Sequence, residues 1–236
     1  MSTYSKDEII KKLEVAKSEM WKFYSQDFVN YRGKTSDKEG YYYTEIIAKW
    51  LLDNIELFND IKMISRENSY KVDSHDGKIK NEKSGREEEI IAMKLFDFSQ
   101  NQGKVFDIIG KIIDYQTPLK DIQTDKAGKI DLLAYNENEK TLRILELKKP
   151  DSKETMLRCV LEAYTYLKIA DKTKLLRDFE LPEDTIIKAC PFVFVEGEQY
   201  KEIQEDRENL KDLIEKLGIE IIYLKEEKGE YVIIKE

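Results

Sequence analysis

Residues 128–149 read GKIDLLAYNENEKTLRILELKK, and the alternation along this stretch decides the fold. Two apolar-rich runs, Lys129 to Tyr135 and Thr141 to Lys148, flank a polar turn from Asn136 to Lys140. Runs of this kind joined by a short Asn-containing turn read as a β-hairpin. If Tyr135 pairs near Thr141 or Leu142, antiparallel register sets Asp131 opposite Leu145 or Glu146. Residues two apart share a strand face, so Lys148 points the same way as Glu146. One face of the second strand is Leu142, Ile144, Glu146 and Lys148; the other is Thr141, Arg143, Leu145 and Leu147. A Glu-x-Lys triplet is commonly a solvated strand face. Here neither face is cleanly polar, which is the pattern of a central strand, and a charge in such a place needs a partner or an ion.

Working outward, Leu157, Val160, Leu161, Tyr164 and Leu167 recur at three- and four-residue steps and predict a helix over Lys153 to Ala170. On the other side, Gly85 to Phe98 predicts a helix whose first turn holds Glu87, Glu88 and Glu89, where negative charge suits the helix dipole. A strand within Val105 to Tyr115 precedes the hairpin. A strand over Ile186 to Val195, a helix over Gln199 to Leu217 and strands at Ile219 to Leu224 and Tyr231 to Ile234 follow it. The order is that of an α/β sandwich with a mixed sheet. Before it, helical spacing over Ser5 to Ser25 and Tyr42 to Phe58, then a short hairpin or loop at Tyr70 to Lys80, suggest an appendage. Residues 1–65 are expected to form an N-terminal helical extension, and residues 66–236 the α/β domain.

The chain of 236 residues is 41% hydrophobic and 37% charged, with a net charge of -8 and a pI near 5.1. This length suits one well-cored domain with an appendage. The acidic balance argues against non-specific coating of nucleic acid, but allows an enzyme with a local basic rim around a cation-loaded acidic pocket. The two cysteines, Cys159 and Cys190, read as buried thiols, not as a disulfide or zinc site. With no signal peptide at the N-terminus and no membrane-length apolar run, a cytoplasmic protein with no membrane partner is expected.

Two neighbouring carboxylates in a partly dry site repel each other unless a cation lies between them or one is protonated. Oxygen ligands in this arrangement suit Mg²⁺ or Mn²⁺. Such an ion stabilises charge on a phosphate and acidifies a water, and Lys148 could position that water or stabilise developing charge.

Asp131, the step of fifteen residues to Glu146 and the Glu146-Leu147-Lys148 triplet resemble the D…(D/E)-x-K motif of the PD-(D/E)XK nuclease superfamily. The αβββαβ order from Gly85 to Val195 resembles its restriction-endonuclease-like core. Ile130 stands where the motif nominally has proline. The resemblance implies a metal-dependent hydrolase of phosphodiester bonds, acting on DNA ahead of RNA, with Mg²⁺ or Mn²⁺ as cofactor; it also admits a homodimer. It implies that Asp131, Glu146 and the Leu147 carbonyl hold the metal and that Lys148 acts at the attacking water. Many members add a glutamate from the preceding helix; Glu88 borders the apolar face there and Glu87 is the fallback, while a solvated first turn explains the cluster equally well.

RecB-like members carry Q-x-x-x-Y in the following helix, where this chain has Glu162-x-x-x-Tyr166. Arg158, Glu162 and Tyr166 could face substrate, although an exposed Arg158–Glu162 pair accounts for the spacing. Lys129, Lys149 and Arg158 are the candidate substrate contacts. Lys120, Lys126 and Lys153 extend the basic run, for which a solvated mixed-charge surface is the plainer explanation. Tyr41, Tyr42 and Tyr43 could stack bases, but read better as an aromatic helix start packed on the domain. His75, the sole histidine, lies in a turn. Neither a Walker-type glycine loop nor G-x-S-x-G occurs. Two other readings stay open: a catalytically silent member of the fold serving as a nucleic-acid or protein interaction module, and an unrelated α/β protein carrying the triplet by chance.

Overall fold

A computed structural model of the chain describes residues 3–79, 86–121 and 128–235. Gly85 and Lys126, and Lys80 at the end of the expected hairpin, lie outside these. The described residues form a mixed α/β structure. Its sheet has six strands in sequential order: β1 (Lys111–Pro118), β2 (Lys129–Asn136), β3 (Thr141–Leu147), β4 (Ile186–Phe194), β5 (Ile222–Glu227) and β6 (Glu230–Ile234). The first three run antiparallel, β3–β4 and β4–β5 are parallel, and β6 closes an antiparallel hairpin on β5. Parallel neighbours need long crossovers, and helices supply both.

Of the α-helices, α1 (Lys6–Ala16) and α2 (Tyr43–Asp53) are N-terminal, and α3 (Glu87–Gln100) precedes the sheet. α4 (Met156–Ile169) and α5 (Lys172–Asp178) link β3 to β4, and α6 (Glu198–Gln204) and α7 (Glu208–Lys216) link β4 to β5. α3 packs on β1 and β2, whereas α4 packs on β3 and β4. With a core on each face, every residue of β3 is buried, as its two-sided apolar pattern requires.

Several expectations are corrected. The first helix ends at Ala16 and tightens into a 3-10 stretch, Lys17–Ser25, broken at Glu19 (φ -128°, ψ 53°); the second likewise passes into 3-10 turns at Ile55–Asp60. Of the hairpin or loop expected at Tyr70 to Lys80, residues 70–79 form a loop. The strand expected within Val105 to Tyr115 runs from Lys111 to Pro118, because Phe106 to Gly110 form a tight turn. Gly110 (φ 77°) faces the Tyr135 carbonyl so closely that no Cβ fits there. The helix expected over 153–170 starts at Met156, after Thr155 caps it through the Arg158 amide. The helix expected over 199–217 is two helices, parted at Glu205 to Arg207, and α5 was not anticipated. Strand β5 begins three residues later than expected, at Ile222.

The core is continuous across the expected boundary at residue 65. Ile9, Leu13, Phe23, Ile47 and Leu51 belong to the same apolar cluster as Leu157 and Val160 of α4 and Leu210 and Leu213 of α7. Glu45 accepts hydrogen bonds from the backbone N–H groups of Asn209 and Leu210, both at 3.0 Å, and so caps α7 from the far end of the chain. Tyr43 is buried, its hydroxyl donating to the Tyr4 carbonyl at 3.1 Å, as a packed aromatic helix start should be. Both cysteines are free and buried. Among the described residues no helix is long and apolar enough to cross a membrane.

Candidate active site

The hairpin register pairs Tyr135 with Leu142 and Leu132 with Leu145. One step further along the same ladder sets Asp131 opposite Glu146. Leu133 and Ile144, a directly paired couple, belong to the α4-side core, and Leu132 and Leu145 to the α3-side core. Alternation therefore turns Asp131, Glu146 and Lys148 together toward α4. The ladder ends here because the Asp131 side chain replaces it: Oδ2 accepts the Leu147 amide at 2.9 Å. Oδ1 accepts Gln116 Nε2 at 2.9 Å, from a residue of β1 in the left-handed region (φ 49°).

Lys148, 5% exposed, is surrounded by acids. Its Nζ lies 2.7 Å from Glu146 Oε1, 2.9 Å from Glu154 Oε2 and 3.2 Å from Glu162 Oε2. Tyr166 donates to Glu162 Oε1 at 2.9 Å, and the Tyr24 ring meets Tyr166 edge-on at 5.9 Å. Gly128 sits so close to the Tyr166 hydroxyl that a Cβ would overlap it. Glu146 is 4% exposed, and its Oε2 is buried with no hydrogen-bond partner.

The charges do not balance. Four carboxylates, Asp131, Glu146, Glu154 and Glu162, stand against two cations, Lys148 and the Arg158 that pairs with Glu154. Burial raises the Asp131 carboxyl to about 7, the Glu162 and Glu88 charges adding to it against the pull of Lys148 and the Leu147 amide. Glu146 is pushed well above the carboxylate range, by burial first and then by Asp131 and Glu162. Lys148 is raised as well: burial opposes its charge, but the carboxylates around it, Glu146 foremost, prevail.

The other expected site residues divide. Glu88, at the start of α3, accepts the Lys149 amide at 3.1 Å and acts on Asp131 through its charge. Glu87 instead pairs with Lys149 Nζ at 2.8 Å. Lys149 also meets Asp151 at 3.2 Å, so its charge is already engaged. Arg158 pairs with Glu154 at 3.0 Å, one turn back, and not with Glu162; the exposed Arg158–Glu162 pair does not form, because Glu162 is buried against Lys148. Lys129 and Lys153 are exposed, and Lys120 lies over the Trp21 ring at 5.3 Å. His75 stands apart, its Nδ1 2.6 Å from Asp114 Oδ1.

Sequence reasoning missed Gln116, Glu154 and Tyr24, which approach from other elements, and misjudged Glu162. The signal for Glu162 was its four-residue step to Tyr166, on a helix that follows the charged hairpin directly.

Two carboxylates on one sheet face, with hard oxygen donors and an orphaned buried oxygen at Glu146, fit a small divalent cation in donor chemistry. Among the described residues no three His, Cys, Asp or Glu side chains are gathered as a ready coordination group. Compared with protein-family profiles, with curated proteins and with solved structures, the chain finds no match.

Proposed function

We propose that this chain is a divalent-metal-dependent nuclease that hydrolyses phosphodiester bonds of nucleic acid, DNA ahead of RNA, on a restriction-endonuclease-like αβββαβ core of the PD-(D/E)XK type. The observation that carries the reading is the buried, partnerless Oε2 of Glu146 on the face it shares with Asp131 and Lys148. Element order supports it: α3, three antiparallel strands, α4 and a parallel β4. Asp131 and Glu146 would hold Mg²⁺ or Mn²⁺, with the Leu147 carbonyl as backbone ligand and Glu88 at hand on α3. When bound, the ion supplies positive charge against the phosphate and acidifies a water.

The protein's own groups divide the remaining work. Lys148 is kept as an ammonium by its three carboxylates, which makes it a hydrogen-bond donor to the attacking water or the phosphate oxygens and not a base. Glu162 and Glu154 fix its Nζ, and Tyr166 fixes Glu162. Gln116 and the Leu147 amide fix the two oxygens of Asp131, so the strand carboxylates are oriented before any ligand arrives. The hydrophobic cores on both faces of the sheet hold these groups on rigid elements.

One observation favours a second reading, a catalytically silent interaction module of the same fold: Lys149 and Arg158, beside the motif, are already paired within the chain. Calorimetric titration of Mn²⁺ and Mg²⁺ into wild type and Glu146→Ala, with cleavage assays on single- and double-stranded DNA and RNA, decides between them. Wild-type protein that binds neither ion and cuts none of these substrates sinks the nuclease reading.

A further inference from the structure

We propose that a cavity of about 340 Å³ between the start of α4, helix α6 and the Tyr31–Thr44 segment is a binding site for a phosphate group, anchored by Arg207. This site is separate from the Asp131–Glu146 pair and does not depend on whether that pair cleaves anything.

Arg207 lines the cavity and is only 6% exposed. Its guanidinium centre stacks 3.2 Å over the Tyr42 ring, and its Nη2 donates to Glu205 Oε2 at 2.6 Å. The Nε and Nη1 groups are buried and have no partner. Stacking occupies the face of a guanidinium, while its N–H groups project from the edge. Two donors are thus left unspent in a place where unmade hydrogen bonds are costly. A guanidinium edge matches two oxygens of a phosphate, and charge-assisted bonds of that kind are among the strongest available.

The carboxylates in the wall are already engaged. Glu198 pairs with Arg32 at 2.7 Å and with Lys201 at 3.4 Å. Glu202 accepts the Met156 amide at 2.7 Å, and burial raises its carboxyl. The start of α4 is therefore capped from within the chain, and Arg207 remains the unsatisfied group. Arg32 and Lys201 are the cations at the rim, their side chains 38% and 61% exposed; both are paired with Glu198, and an anion would compete with it for them. The volume exceeds that of orthophosphate and admits an attached ester group. The cavity also adjoins the candidate active site: Thr155 lines it, and the preceding residue, Glu154, holds Lys148.

The test is calorimetric titration in EDTA, so that no divalent ion can retain phosphate at Asp131 and Glu146. The probes are orthophosphate, a 5′-phosphorylated dinucleotide and its 5′-hydroxyl counterpart. Wild type binds the two phosphates and not the hydroxyl form. Arg207→Lys keeps the charge but loses the fork, and weakens binding about tenfold or more; the rim variant Lys201→Ala weakens it about threefold. Tighter binding of the phosphorylated dinucleotide assigns the site to a strand terminus, and equal binding assigns it to free phosphate. If Arg207→Lys fails to fold, the Arg32→Ala/Lys201→Ala double variant decides, and undiminished affinity in it overturns the proposal. The proposal is equally overturned if millimolar phosphate gives no binding to wild type, if affinity is unchanged in Arg207→Lys, or if the hydroxyl dinucleotide binds as well as the phosphorylated one.

Discussion

The two ends of strand β3 each bury charge, and they do so to opposite effect. Near its start, Arg143 is 1% exposed and pairs with Glu220 and Glu139, both at 2.6 Å. Lys188 approaches Glu220 at 3.7 Å and Lys235 closes on it directly. Cations match or exceed acids there, and the Glu220 carboxyl is drawn down to about 2: burial opposes this, but the hydrogen bonds and charges of Arg143 and Lys235 outweigh it. Near its end, Glu146 and Asp131 are raised by burial first and then by neighbouring acids, Glu162 acting on both. A buried network whose charges close is a fastening. The other is left short of positive charge, and this distinction, more than the letters of the motif, separates the candidate site from the rest of the sheet.

The comparison breaks most sharply by mutation. Glu220→Ala strands the Arg143 guanidinium and should cost about 3–5 kcal/mol in urea unfolding. Glu146→Gln should do the reverse in metal-free protein, raising the melting temperature by relieving like-charge repulsion, while lowering cleavage by about a hundredfold or more in a metal-supplemented assay. A Glu146→Gln protein that is both destabilised and fully active would erase the contrast.

Acid titration sharpens it. The folded Glu220 carboxyl lies below its unfolded value of 4.5, so its contribution is present above pH 4.5 and lost as pH falls toward about 2. The folded Asp131 carboxyl lies above its unfolded value of 3.8, so metal-free stability falls as pH rises from 3.8 through about 7. Chemical unfolding followed between pH 2 and 8 should show Glu220→Ala flattening the acid limb and Asp131→Asn flattening the decline toward neutrality; the same limb flattened by both would contradict the assignment. The smallest effect belongs to Tyr166→Phe, which removes the bond to Glu162 and should cost about 1 kcal/mol, read by thermal melting.

Much of this was legible in the chain. Strand alternation and the Asn136–Lys140 turn set the hairpin register, and so placed Asp131 beside Glu146 and Lys148 on one face. What escaped depended on distant partners. Arg143 meets Glu220 across 77 residues, and Gln116 reaches Asp131 from a left-handed backbone that no period announces. Local pairing also misled: Glu162 has Arg158 one turn before it, yet burial against Lys148 wins. The break between α6 and α7 escaped because helical periodicity runs through it. The contact that the N-terminal segment makes between Tyr24 and Tyr166 likewise joins residues far apart in the chain.

The cap that Glu45 places on α7 sets a schedule for the chain as it is made. Its donors are the backbone N–H groups of Asn209 and Leu210, 164 and 165 residues later. At about 5–20 residues per second, translation delivers that partner on the order of ten seconds after Glu45 has emerged. Until then α2 lacks α7 to cover its apolar side, and for most of that time α4 is missing as well. The segment of α1 and α2 is thus synthesised well ahead of the helices that cover it, so premature release or a stalled ribosome exposes it to aggregation and to chaperones.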